Sequence, residues 1–143
     1  MVNNPIFIST DKALLDVAAI HEFLCFHSAW SNGITLELVQ KSIDHSLNFG
    51  VYDGNKQIGF ARVISDYATI AYLGDVYLLD SYRGKGISKE LMDSIMGHPE
   101  LQGLRRWILL TSTADWLYEK YGFEKLPQPE VYMEKFDSEV YRR

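Results

Sequence analysis

The sequence predicts an α/β layer protein of the α+β kind built on a mixed sheet. Three observations predict it. Apolar residues change between a period of two and a 3/4 period in the order β-α-α-β-β-β-α-β-α-β-β. Asp53-Gly54-Asn55 separates two strand-like runs in the manner of a hairpin turn. Finally, Tyr82-Arg83-Gly84-Lys85-Gly86-Ile87-Ser88 joins an apolar run ending at Leu79 to an amphipathic run from Ile87 to Met96, as a strand-to-helix junction does.

Ile6 to Ser9 reads as a short first strand. Thr10 or Asp11 can cap a helix that carries Leu14, Leu15, Val17, Ala18, His21, Leu24 and Cys25 on one face. Ser31-Asn32-Gly33 is a turn, and a second helix runs from Thr35 to about Ser46 with Leu36, Val39 and Ile43 in phase. Leu47 to Asp53 and Lys56 to Asp66 form the hairpin strands. Ile70 to Leu79 follows and is apolar on both faces, which makes the carboxylate of Asp75 conspicuous. Ile87, Leu91 and Ile95 stripe the next helix, closed by Gly97-His98-Pro99. Trp107 to Thr111 is a short strand, Ala114 to Tyr121 a short helix, and Phe123 to Leu126 with Val131 to Phe136 a final antiparallel pair. The prolines at 5, 99, 127 and 129 fall near element ends.

With 143 residues, 47% hydrophobic and 23% charged, the chain fits one globular domain spanning residues 1–143, without repeat or linker. A net charge of −5 argues against a nucleic-acid partner, because polyphosphate demands a basic face and Arg105-Arg106 and Arg142-Arg143 are only pairs. No apolar stretch approaches the roughly 20 residues of a membrane span, and Met1 to Thr10 lacks a signal-like pattern, so no membrane partner and a cytoplasmic location are expected. Cys25, as a single cysteine, makes no intramolecular disulfide and reads as a small buried residue. His21, His27, His45 and His98 have no metal-motif spacing, so no metal is expected. A Cys25/His pair remains the minor nucleophile alternative.

The glycine-rich turn aims backbone N–H groups and a helix N-terminus at one place, a site for phosphate oxygens. It lacks the Walker spacing, and Lys89 stands where a dinucleotide fingerprint needs its third glycine. What remains is Arg-x-x-Gly-x-Gly/Ala, read as Arg83, Gly86 and Ser88. Together with Ala114, Tyr118, Gly122 and Phe123, in the pattern Ala-x-x-x-Tyr-x-x-x-Gly-Phe, this resembles the GNAT superfamily of N-acetyltransferases, in its small stand-alone branch. Ser88 replaces the usual Gly or Ala, and Thr111 stands where that family often has Asn. The resemblance runs from about Ile6 to Phe136 and is most specific from Gly59 to Leu126.

That resemblance implies a mixed, mostly antiparallel sheet flanked by about four helices and acetyl-CoA as acyl donor. The diphosphate would meet Arg83, Gly84, Lys85, Gly86, Ile87 and Ser88, and the pantetheine arm would pair with a splayed strand edge at Val76, Tyr77 and Leu78. Tyr118 matches the general acid that protonates the departing thiolate; its bland alternative is an aromatic packed on the sheet. Asp75 falls where many members place an acid. Burial in an apolar strand would suit it as general base, whereas an ion pair with Arg62, opposite it across a two-residue turn at Ala68-Thr69, would make it structural. The acceptor is expected to be the primary amine of a small molecule or an amino terminus. His27, Trp30, Ser31, Asp66 and Tyr67 line the acceptor side by the same resemblance, Asp66 holding a cationic amine and the aromatics stacking on it. Homodimers are common in the superfamily, although no seam in the sequence marks one. The competing readings are a CoA or acyl-CoA sensor without chemistry, and a binder of another phosphate ligand on the same turn.

Overall fold

The computed structural model describes residues 6–142; Pro5 and Arg143, named above, lie outside them. Five strands, β1 (Ile6–Ser9), β2 (Leu47–Asp53), β3 (Lys56–Ser65), β4 (Ile70–Leu78) and β5 (Arg106–Leu109), form one sheet in the order β1-β2-β3-β4-β5. The first four pair antiparallel and β4 pairs parallel with β5, so the expected mixed, mostly antiparallel sheet is present. Only Gly54 and Asn55 separate β2 from β3, and Gly54 has φ 59°, the left-handed conformation that a tight hairpin needs. A parallel β4–β5 pair requires a crossover, which α3 (Ile87–Met96) supplies.

Side-chain alternation along the strands divides the interior into two layers. Phe49, Val51, Ile58, Val63 and Leu73 pack against Ile87, Leu91, Met92 and Ile95 of α3. On the opposite face Phe60 and Tyr77 meet Ile20, Leu24, Val39 and Ile43 from α1 (Val17–Glu22), the π-type turn Phe23–His27 that continues it, and α2 (Leu36–Asp44). Each such large side chain, removed from water, contributes about 1.5–3 kcal/mol before chain entropy is subtracted. The stripe Ile87, Leu91, Ile95 is buried as its period requires, and Thr35 caps α2 by accepting from Leu38 N–H at 3.2 Å.

Two expectations are corrected. The first helix is not continuous from Asp11: a 3-10 turn, Lys12–Leu14, is capped by Asp11, Leu15 is extended (φ −66°, ψ 133°), and α1 starts afresh with Asp16 as its cap, whose carboxylate accepts from Ala19 N–H at 3.0 Å. Two carboxylates within six residues offer two starts, and the second is tied to the sheet because Asp16 N–H donates to Gln57 Oε1 at 2.8 Å. The last two strands do not form among the described residues. A lone strand without ladder partners gains too little to persist. Residues 123–136 instead carry a 3-10 turn, Pro129–Val131, and leave Val131, Met133 and Phe136 64%, 97% and 75% exposed.

Candidate active site

The site begins where two ladders part. Pairing of β4 with β3 continues to Gly59↔Leu78, but pairing of β4 with β5 stops at Leu73↔Leu109. Residues 74–78 therefore present an unpaired edge toward the β5 side, which includes Val76, Tyr77 and Leu78. A bulge marks the parting: Phe60 faces Tyr77 and Arg62 faces Gly74, so Ala61 stands against both Asp75 and Val76. Asp75 takes φ 52°, a left-handed conformation that tilts the strand and turns its side chain to the α1/α2 face.

Just past this edge the chain makes the glycine-rich turn. Leu79 N–H donates to Ile58 O at 2.8 Å, the 3-10 turn Asp80–Tyr82 follows, and Gly84 and Gly86 adopt φ 77° and 79° before α3 starts. Gly86 is the N-cap and provides no side-chain acceptor. Among the described residues, the amides of 84 to 88 have no hydrogen-bond partner, so several orphan donors gather at the positive end of a helix dipole. This is the donor set that a diphosphate fits. Arg83 and Lys85 are exposed beside it, Arg83 with Asp80 at 3.3 Å and Lys85 5.7 Å from the Tyr82 ring centre. Ile87, buried at the root of the turn, and the Tyr82 hydroxyl, donating to Asp53 Oδ2 at 2.6 Å, anchor it to the sheet.

Tyr118 lies in α4 (Asp115–Glu119), in the same apolar cluster as Leu73, Leu78 and Ile87. Burial pushes its phenol up from its ordinary value, so it stays protonated through neutral pH. Its hydroxyl has no hydrogen-bond partner among the described residues, while its ring meets Phe123 edge-on at 6.0 Å. Three residues on, the Tyr121 hydroxyl donates to Asp93 Oδ1 at 3.0 Å and braces α4 against α3. Thr111 Oγ1 accepts from Ala114 N–H at 3.0 Å and so caps the approach to α4.

On the α1/α2 face Asp75 is committed. Arg62 Nε donates to Asp75 Oδ2 at 2.8 Å, Trp30 Nε1 donates to Oδ1 at 3.1 Å, and Arg62 Nη1 donates to Ser46 Oγ at 3.0 Å. The ion-pair alternative is thus present, reached through the bulge and not through direct opposition, since β3 and β4 are joined by residues 66–69 and Arg62 faces Gly74. Both side chains are mostly buried, at 17% and 13% exposure, so Arg62→Met leaves a carboxylate with one weak donor. We expect that change to cost about 2–4 kcal/mol in urea unfolding, and Arg62→Met combined with Asp75→Leu to recover most of it.

Trp30, Arg62 and Asp75 line a cleft of about 450 Å³ together with Ser31, Lys41, His45 and Tyr141. The structure does not bring Asp66 and Tyr67 to this lining. Asp66 Oδ1 accepts from the N–H groups of Ala68, Thr69 and Ile70, and its Oδ2 from the Thr69 hydroxyl. These bonds, the hydroxyl first, hold its carboxyl well below the usual range and make it a turn former. Tyr67 sits on that turn at φ 62°. Lys41, His45 and Tyr141 were missed by sequence reasoning; for the first two the signal available was the α2 period, which puts them one turn apart on the edge flanking Val39 and Ile43. His27 and Phe23 rings stand 6.2 Å apart, and His27 is not among the cleft residues.

The sequence profile of the acetyltransferase (GNAT) domain matches residues 44–125, from the end of α2 through α4, including both the turn and Tyr118. The chain belongs to the GNAT acetyltransferase family. A candidate GNAT acetyltransferase from Xanthomonas campestris pv. campestris is 49% identical, with a TM-score of 0.94 over 99% of this chain and 100% of that one. A candidate acetyltransferase of Gibberella zeae is 30% identical over 79% of this chain and 75% of its own length. A Clostridium acetobutylicum protein described as an acetyltransferase with acetyl-CoA shares the GNAT fold at 16% identity and a TM-score of 0.67, covering 92% of this chain and 95% of that one. In this GNAT protein, no helix among the described residues is long and apolar enough to cross a membrane, and no group of three or more His, Cys, Asp or Glu side chains could hold a metal ion.

Proposed function

We propose that this GNAT protein transfers the acetyl group of acetyl-CoA to a primary amine, of a small molecule or an amino terminus, by direct attack within a ternary complex. The observation that carries this reading is the coincidence of the unpaired β4 edge with the partnerless amides of residues 84 to 88 at the start of α3. An extended diamide arm pairs with such an edge, and a diphosphate with such amides. The relative described with acetyl-CoA supports the choice of donor through its shared fold.

In the reaction the amine nitrogen attacks the thioester carbonyl carbon, a C–N bond forms and the C–S bond breaks. Tyr118, kept protonated by burial, gives its proton to the leaving thiolate. Asp75, of the two roles considered for it, is the structural ion-pair partner and not the base, because Arg62 and Trp30 already occupy its carboxylate oxygens. The amine proton then leaves to water. No acyl-enzyme is needed, and the site assigns no role to Cys25, which is buried.

A pH dependence follows. A primary alkyl amine has a pKa near 10, so roughly one molecule in a thousand is neutral at pH 7 and kcat/KM rises with pH. The raised phenol of Tyr118 means no decline below about pH 10. For stability the sign agrees: Tyr118 and Tyr77, both raised by burial, contribute in full below the ordinary phenol value, and that contribution is lost only as pH rises through their folded values. A plateau or fall of kcat/KM between pH 7 and 9 overturns the assignment of proton roles. Calorimetric titration with acetyl-CoA, CoA and ATP tests the donor: strong preference for the two pantetheine ligands is expected, and equal binding of ATP refutes it. Turnover with an amine panel separates an enzyme from a CoA sensor.

A further inference from the structure

We propose that the acceptor of this protein is an amine that also carries an anionic group, a carboxylate or a phosphate, and that Lys41 on α2 with His45 at its C-terminal cap recognises that group. This rests on the acetyltransferase reading of the same site. The cleft below the β4 bulge holds two permanent cations, Lys41 and Arg62, against one acid, Asp75, with His45 beside them. The chain as a whole carries a net charge of −5, so an excess of cationic groups in this one concavity runs against the composition.

The charges are arranged along the cleft. Asp75 lies on β4 at the parting of the ladders, where the thioester would stand, and its charge is matched by Arg62 at 2.8 Å. Lys41 and His45 lie on the α2 wall, one helical turn apart, and neither has a salt-bridge partner among the described residues. Arg62 uses Nε on Asp75 and Nη1 on Ser46, and its Nη2 makes no hydrogen bond among the described residues. Lys41 also lines a neighbouring groove with Glu37 and Asp44, yet it forms no ion pair with either among the described residues, and Asp44 Oδ1 accepts from Gln40 Nε2 at 2.9 Å. A diamine would place its second cation against Lys41, whereas an amine with a terminal anion places opposite charges together. Tyr141, from the C-terminal 3-10 turn Val140–Arg142, closes part of the wall.

The test titrates the whole protein, with and without saturating CoA, against matched pairs: an amino acid and its decarboxylated amine, and an amino alcohol and its phosphate monoester. The anionic member is expected to bind about tenfold tighter, with the preference shrinking as salt is added. The two pairs distinguish carboxylate from phosphate. Lys41→Gln is expected to reduce the preference at least threefold while leaving the affinity of the neutral amine unchanged, and Lys41→Arg to restore it. A purely structural Lys41 would shift both members together. Equal affinity within each pair, a better-bound diamine, or no binding of any anionic amine at millimolar concentration overturns the inference. Failure of CoA to bind overturns the acetyltransferase reading instead, and the arm without CoA still measures the charge preference.

Discussion

Tyr118→Phe lowers kcat by about 10²-fold, or about 2.7 kcal/mol of transition-state stabilisation, and leaves the dissociation constants of CoA and acetyl-CoA within about twofold. The expected split follows from what the substitution removes. The ring remains in the cluster with Leu73, Leu78 and Ile87 and keeps its edge-on contact with Phe123, so packing is retained. The hydroxyl has no partner among the described residues, so its loss orphans nothing, and the unfolding free energy should change by no more than about 0.5 kcal/mol. Only the proton donor is gone. Single-turnover acetyl transfer, paired with calorimetry of CoA, reads the two quantities separately. An unchanged kcat would make Tyr118 a packing residue, and equal loss of kcat and affinity would move its role to donor binding.

Gly86→Val weakens acetyl-CoA binding by about 10²-fold, and here the loss appears in affinity, with the fold intact. Gly86 has φ 79° as the N-cap of α3, where a β-branched residue is strained by roughly 1–2 kcal/mol or leaves the left-handed region altogether. Nothing lies within 4 Å of an added Cβ, so the protein does not itself reject the side chain. The methyl groups instead project into the open space beside the unpaired amides, and relaxation of φ turns those amides away from their common focus. Calorimetric titration with CoA measures the loss, and circular dichroism checks the helix. Affinity within threefold of the parent would place the diphosphate elsewhere.

Much of this site lay open in the order of residues. The turn from Arg83 to Ser88 and the helix stripe Ile87, Leu91, Ile95 are local patterns, and local patterns survive folding because neighbours in sequence make the contacts. The apolar strand with its one carboxylate at position 75 was legible for the same reason. Its partner was named, but the route was not: a bulge opposite Ala61 shifts Arg62 onto Gly74, and only the twist of β4 brings the guanidinium to the carboxylate. Asp66 and Tyr67 were drawn to the acceptor side by analogy, whereas the Asp66 carboxylate spends its lone pairs on its own turn. The last two strands failed because strand propensity at Val131 to Phe136 carries no information about whether an edge is available to pair with.

By itself, then, the sequence determined the family, the glycine-rich strand-to-helix turn and the place of Tyr118 in the short helix after β5, since each is encoded by fixed spacing along a few consecutive turns of chain. Tertiary structure alone decided that β4 abandons β5 after Leu73, that Trp30 and Arg62 share Asp75, and that Lys41 and His45 face the same cleft. Those relations join residues dozens of positions apart, and their distances depend on register, bulge and helix docking, which are set by the packing of the whole core.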